Sequence, residues 1–396
     1  MSKIGFLITL FVITTIIFSC DNLDVSSDQS DSFIKFFGSW QDDYGVDIKE
    51  VSDGYIILAN IETNSNGKDI GLIKVNKQGN KVWETSFGDG GNDIGKRMLL
   101  LDDGGLIIIG TYADTLNNNT QIYLIKTNQS GNEEWSKKIG TTSNEEGAAI
   151  QKTSEGFILA GSTSRSNTLN NNPEGKWDIL LIKTDETGNV EWQNSFGGTD
   201  DDLANDILVR NNGFLILGTT NSFNEPGQGN RNMIAIETNW VGVENDRLTY
   251  GGINNDYGKS VLYTDDGGYA FVGSFENSAG SNSDVYLVKT QADIHDIDWS
   301  KTYGTAVNEF GNDLVKTNNG YVVVGSKEIS TGIAGYFLKV DFDGNTILEK
   351  VYGGYDEQEF YAVEATSDGG FIMVGKSGYE GNELICLVKV NADGEF

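Results

Sequence analysis

Asp103-Gly104-Gly105-Leu106-Ile107-Ile108-Ile109-Gly110 runs from a tight turn into an unbroken apolar stretch, and the chain repeats this phrase along its length. An aromatic residue or Leu opens the apolar run at Tyr55, Leu106, Phe157, Phe214, Tyr269, Tyr321 and Phe371, at spacings of 51, 51, 57, 55, 52 and 50 residues. Self-similarity at such a period marks a repeat architecture in which each copy is one supersecondary unit. Every copy holds four short pieces bounded by Gly, Asn or Asp, and each piece has the pattern of a strand rather than a helix.

Strand A follows an acidic turn, as in Lys259-Ser260-Val261-Leu262. Strand B is a continuous apolar run, Leu106 to Ile109 or Tyr321 to Val324, which suits a strand covered on both faces. Strand C alternates, as in Asp178 to Lys183, and strand D carries an aromatic pair, as in Trp192 with Phe196 before Gly197. Asp-Gly-Gly at 103–105, 266–268 and 368–370, or Asn-Gly at 212–213 and 319–320, supplies the positive φ that A-to-B hairpin turns require. Seven copies of four antiparallel strands predict an all-β fold, a seven-bladed β-propeller spanning residues 32–396 as a single domain. The last copy stops after its C strand, while residues 32–39 read as a D strand with nothing before it. Phe33 and Phe37 stand relative to the next Gly as Trp83 and Phe87 do. The N-terminal strand is therefore expected to complete the C-terminal blade and remove the exposed edges of an open stack.

Composition narrows the function classes. The 396 residues include 58 Asp and Glu against 28 Lys and Arg, a net charge of −30. A polyanionic surface repels nucleic acid and anionic lipid headgroups, which are bound by clustered Lys and Arg. Fifty Gly, two Pro and 11% aromatic residues describe a turn-rich chain that can still build a large core. With one His, His295, and two Cys, neither a Ser-His-Asp triad nor a zinc site can be assembled.

The N-terminus reads as a targeting segment, with Lys3 as a minimal basic region and Ile4 to Phe18 as an apolar stretch too short to span a bilayer comfortably. Ile17-Phe18-Ser19-Cys20 resembles a bacterial lipobox. The resemblance implies a signal peptide over residues 1–19, cleavage before Cys20 and lipidation of Cys20. Several acyl chains on one residue anchor stably where a single chain does not. Residues 20–31, rich in Asp and Ser, form an acidic tether whose composition cannot offset its own ordering entropy. Cys386 is then the only other thiol, expected as a small buried residue of a strand.

The string Asp-Gly-Gly-Tyr, then apolar-Gly, Leu-Ile-Lys-Thr-Asp, Gly-Asn, Trp and Tyr-Gly-Gly resembles the propeller repeats of lipoproteins and cell-surface proteins of the Bacteroidota, over residues 32–396. The resemblance implies the propeller fold and an envelope address, with the protein lipid-anchored at the outer membrane. It implies no particular activity.

Several positions recur. The D-to-A turn repeats an Asn/Asp and acid pair at Asp42-Asp43, Asn92-Asp93, Asn144-Glu145, Asp201-Asp202, Asn255-Asp256 and Asn308-Glu309, broken at Glu357-Gln358. Asp43, Asp93, Glu145, Asp202, Asp256 and Glu309 make a candidate cation ring, with Ca²⁺ the fitting ion because hard cations take several oxygen ligands. The alternative is that each caps turn N–H groups and ties neighbouring blades together. Lys near the end of strand C (Lys74, Lys126, Lys183, Lys289, Lys339, Lys389) is expected to pair with the acids of the A-to-B turns. Trp83, Trp135, Trp192 and Trp299 are expected to pack between blades. Blade four departs at Glu237 and Asp246 and is the least regular.

Binding residues sit on variable loops held by a rigid scaffold. The variable loops are B-to-C, longest at 162–177 and 219–231, on the same face as the D-to-A turns in propeller topology. Arg165, Trp177, Phe223 and Arg231 are the candidate binding residues there. The sequence thus points to a lipid-anchored, non-catalytic binding or scaffold propeller, a monomer taking an envelope protein or glycan and no nucleic acid. A polysaccharide-acting glycosidase or lyase using paired top-face carboxylates is the second reading. A quinoprotein-like or envelope-assembly propeller is the third.

Overall fold

The structure is a computed structural model that describes residues 32–39, 41–63, 67–164, 176–224, 227–277, 282–354 and 357–396. The described residues form 28 strands in seven antiparallel sheets of four, a seven-bladed β-propeller. Blade one is β2 (Tyr44–Val51), β3 (Gly54–Thr63), β4 (Gly67–Asn76) and β5 (Lys81–Phe87), and the next five blades repeat it in chain order. Blade seven is built from β26 (Gln358–Ala365), β27 (Phe371–Tyr379), β28 (Asn382–Val390) and β1 (Phe33–Phe37). Phe33 pairs with Lys389 and Phe37 with Ile385, so the two ends of the sequence share one sheet as the Phe33 and Phe37 spacing predicts. Glu50 of blade one fastens the neighbouring boundary with blade seven, accepting Ser367 N at 2.7 Å and Ser367 Oγ at 2.8 Å.

Strands B and C are covered on both faces because blades stack face to face. Gly156–Thr163 and Gly213–Thr220 are buried at every residue, whereas the outer strand Val190–Phe196 alternates between exposed and covered. The core consists of apolar clusters that each join two adjacent blades. Ile158, Leu181, Ile207, Phe214 and Ile236, for example, seal blades three and four.

An outer joint repeats beside this core. The Trp of one blade lies on the glycine of the next blade's C-to-D turn. A Cβ at Gly131, whose φ of 78° already favours glycine, would sit 2.6 Å from the Trp83 ring. Trp135 on Gly188 and Trp192 on Gly242 repeat the arrangement. The joint between blades four and five is different. There Asp246 stands in the Trp position and His295 in the turn, and Asp246 Oδ2 lies 3.0 Å from His295 Nε2.

The predicted lysine pairing is present at Lys74–Asp53, Lys126–Asp103, Lys289–Asp266 and Lys389–Asp368. Lys183 pairs instead with Glu191 of strand D, and Lys339 donates to the Ala392 carbonyl at 2.9 Å. Blade four reverses the polarity: Glu237 on strand C takes Arg210 from the end of strand A at 2.7 Å, so its irregular residue is still paired.

Candidate functional site

The recurrent acids are buried, each between 0 and 2% exposed, at the start of strand A. Asp43 accepts from Ser39 N at 2.8 Å in the turn and from Glu62 N at 2.7 Å at the end of strand B. Asp93 takes Asp89 N and Ala113 N, and Asp256 takes Gly252 N at 2.6 Å and Glu276 N at 3.1 Å. Asp202 takes Gly198 N and Thr220 Oγ1. Glu145 and Glu309 use their extra methylene to reach Thr141 and Thr305, and Glu309 also meets Lys327 at 3.0 Å. Their oxygens are thus engaged by the turn itself. Among the described residues no three His, Cys, Asp or Glu side chains gather as metal ligands. Burial raises the pKa of Asp93, Asp202 and Asp256, the last to about 6.

In most pairs the first member works between blades, whereas Asn255 donates to Glu276 within its own blade. Asn92 Oδ1 accepts Lys68 N, Asn144 Oδ1 accepts Thr120 N, Asp201 Oδ1 accepts Trp177 N and Asn308 Oδ1 accepts Ser283 N, each from the start of strand C of the blade before or the residue just ahead of it. These bonds place the D-to-A turns and the B-to-C loops on one face and clamp them.

The loop candidates are distributed over that face. Cys20 and Arg165 lie outside the described residues. Trp177 is half-buried. Phe223 packs on the core of blades three and four beneath Arg247, whose guanidinium carbon is 3.9 Å from the ring centre. Arg231 reaches Asn221 Oδ1 and Tyr257 Oη, both at 3.0 Å, tying its loop to blade five. Phe223 and Arg231 therefore support the face rather than stand free on it.

At the centre of the same face lies a feature the sequence analysis missed. Strand A carries a β-bulge in all seven blades, and the extra residue is Val46, Lys96, Ala148, Asn205, Lys259, Asn312 or Tyr361. A bulge re-aims a side chain, and all seven of these residues line one cavity of about 300 Å³ in the axial channel. Beneath them Arg97 faces carboxylates from other blades, with Nη2 3.5 Å from Asp313 Oδ1. Burial works against its charge, and Asp313, Asp206 and Asp47 outweigh that, raising its pKa. Lys49 bridges Asp47 at 3.3 Å and Glu364 at 3.5 Å. The signal that could have found this site is variation: three residues after a nearly uniform acid, the seven blades offer Val, Lys, Ala, Asn, Lys, Asn and Tyr.

No protein family model matches the chain. The regulatory protein FlaEY of Caulobacter vibrioides is 23% identical over 201 residues, covering 42% of this chain and 21% of that protein. The chain thus spans about a fifth of the curated relative it matches. Among solved structures, a PL25 ulvan lyase bound to -[GlcA(1-4)Rha3S]- superposes with a TM-score of 0.55 at 12% identity, covering 91% of this chain and 97% of that one. The Neurospora crassa Pan2 WD40 domain gives 0.51 at 10% identity, with 91% and 100% covered. The Drosophila Semaphorin 1b ectodomain gives 0.51 at 8%, with 90% and 86% covered. At these identities the likeness is one of fold.

Proposed function

We propose that this protein is a non-catalytic binding propeller, lipid-anchored through Cys20 at the bacterial envelope, that takes a glycan on the face formed by its B-to-C loops and D-to-A turns. The observation that carries this reading is the pairing of a clamped face with a central cavity. Buried carboxylates immobilise the turns, and the seven bulges aim side chains of differing chemistry into one recess. A rigid backbone presenting varied polar groups is what selective binding requires, since ordering costs are met before the ligand arrives. The ulvan lyase shows that a ring of this fold can carry a glycan.

The test is a screen of the purified protein against envelope glycans, with loops 162–177 and 219–231 shortened in separate variants. Binding that weakens on shortening supports the face. Absence of binding, or binding indifferent to both loops, overturns the reading. Detergent-phase partitioning that disappears in Cys20→Ala supports the anchor, and partitioning that persists in the variant overturns it.

A further inference from the structure

Lys96 and Lys259 stand apart from every other described lysine. The others each have a hydrogen bond or an ion pair, most with a carboxylate, as the net charge of −30 makes easy. These two have neither, and both are bulge residues lining the central cavity. Enclosure by protein pulls the Lys259 pKa below the ordinary lysine value; Glu359 opposes that and Lys96, close enough to repel it, adds to it. Both side chains are exposed to the channel, where two like charges from blades two and five face one recess with Glu359 as the carboxylate that opposes their repulsion, and a bound anion would add to that compensation.

The other charged groups of the channel are accounted for. Glu359 is held by Asn312 Nδ2 at 3.1 Å and Tyr361 Oη at 3.0 Å. Arg97 is matched by Asp313, Asp206 and Asp47, and Lys49 by Asp47 and Glu364. Glu146 is the remaining carboxylate of the lining, exposed and without a hydrogen bond or ion pair. Asn205 offers an amide that can meet a hydroxyl. The cavity, about 300 Å³, is at the lower end of the range for small-ligand pockets, roughly 300–1,000 Å³, and suits a single ring.

We propose that Lys96 and Lys259 form an anion-recognition site in the channel mouth that receives the carboxylate of a sugar acid. The inference rests on the glycan reading above and narrows it to an acidic sugar. The same chemistry can come from a free sugar acid or from the end of an acidic oligosaccharide, and the test separates them.

Calorimetric titration of the protein with sodium glucuronate, with glucose and with an acidic oligosaccharide is the decisive experiment. Glucuronate is expected to bind at least tenfold more tightly than glucose. Lys96→Gln with Lys259→Gln is expected to weaken glucuronate at least tenfold while leaving the melting temperature unchanged or raised, because neither lysine holds a structural bond. Glu146→Gln is expected to tighten binding severalfold by removing a repulsive neighbour. Equal affinity for glucose and glucuronate, or a double variant that binds as the parent does, overturns the site. Free glucuronate binding without any oligosaccharide binding keeps the site and overturns the glycan-binding function; loop-dependent binding of neutral glycans alone does the reverse.

Discussion

Replacing Arg97 with Met keeps the unbranched stem of the side chain and withdraws the guanidinium from between Asp47, Asp206 and Asp313. Those carboxylates cannot turn to water instead. Asp47 accepts Met98 N at 2.7 Å, Asp206 accepts Val261 N at 2.9 Å and Asp313 accepts Val363 N at 3.1 Å, each across a blade boundary. A unit pair at the 3.5 Å Arg97–Asp313 distance is worth about 5 kcal/mol at an effective dielectric of 20. Desolvation offsets part of that, and stripping one partner from a buried network costs roughly 3–5 kcal/mol. Arg97→Met is therefore expected to lose about 3 kcal/mol at pH 8, read from urea unfolding. The loss must depend on pH with a definite sign. Burial already holds Asp206 above its ordinary pKa, and Arg97 is the main force lowering it. Without Arg97 the folded-state pKa of Asp206 climbs further above its unfolded value, so the penalty is full above that folded value and fades as pH falls toward about 4. Arg97→Met with Asp313→Asn should recover part of the loss. A deficit under about 1 kcal/mol at pH 8, or one that grows on acidification, would refute the account.

Asp256 should titrate near its raised value of about 6, followed by its carboxyl NMR resonance. Because the folded state holds this proton more tightly than the unfolded chain, its contribution to stability is fullest below about 4 and is lost as pH rises through 6. A midpoint below 4.5 would count against the burial argument. At the joint of blades four and five, Asp246→Ala or His295→Ala alone should destabilise slightly, since each leaves the other without its 3.0 Å partner. A coupling of about 0.2–1 kcal/mol is expected in a double-mutant cycle, and simple additivity would show that the two positions act separately. Cys386, fully buried with its thiol pushed up to about 12 by burial, should react with a thiol reagent only as fast as the protein unfolds. Rapid labelling of the native protein would contradict that placement.

The blade count and the ring closure were legible because they rest on recurrence: Phe33 and Phe37 repeat the spacing of Trp83 and Phe87. The bounds of strand A were less so. The four residues Lys259–Leu262 predicted for blade five are the middle of Asp256–Tyr263, since the pattern hides a strand whose register slips between Gly258 and Ser260. That slip also hid the candidate site. Self-comparison rewards sameness, and the bulge residues differ from blade to blade because nothing in the scaffold constrains them. The acids were conspicuous for the opposite reason, as every turn needs the same clasp. Asp246 and His295 were each visible as a departure, but their partnership depends on strand D of one blade meeting the C-to-D turn of the next, a proximity 49 residues long in sequence.

The seam in blade seven sets a timetable. Phe37 cannot meet Ile385 until the 385 − 37 = 348 residues from Gly38 to Ile385 exist. At roughly 5–20 residues per second, synthesis leaves Phe33 and Phe37 without their partners for some tens of seconds. Blades one to six consist of neighbours in the chain and can form as they emerge, but the last sheet is a long-range closure and must come late. A chain stopped anywhere before β28 would carry finished blades and an open ring. Closure of that ring therefore acts as a check, made by geometry, that every strand from β1 to β28 is in place.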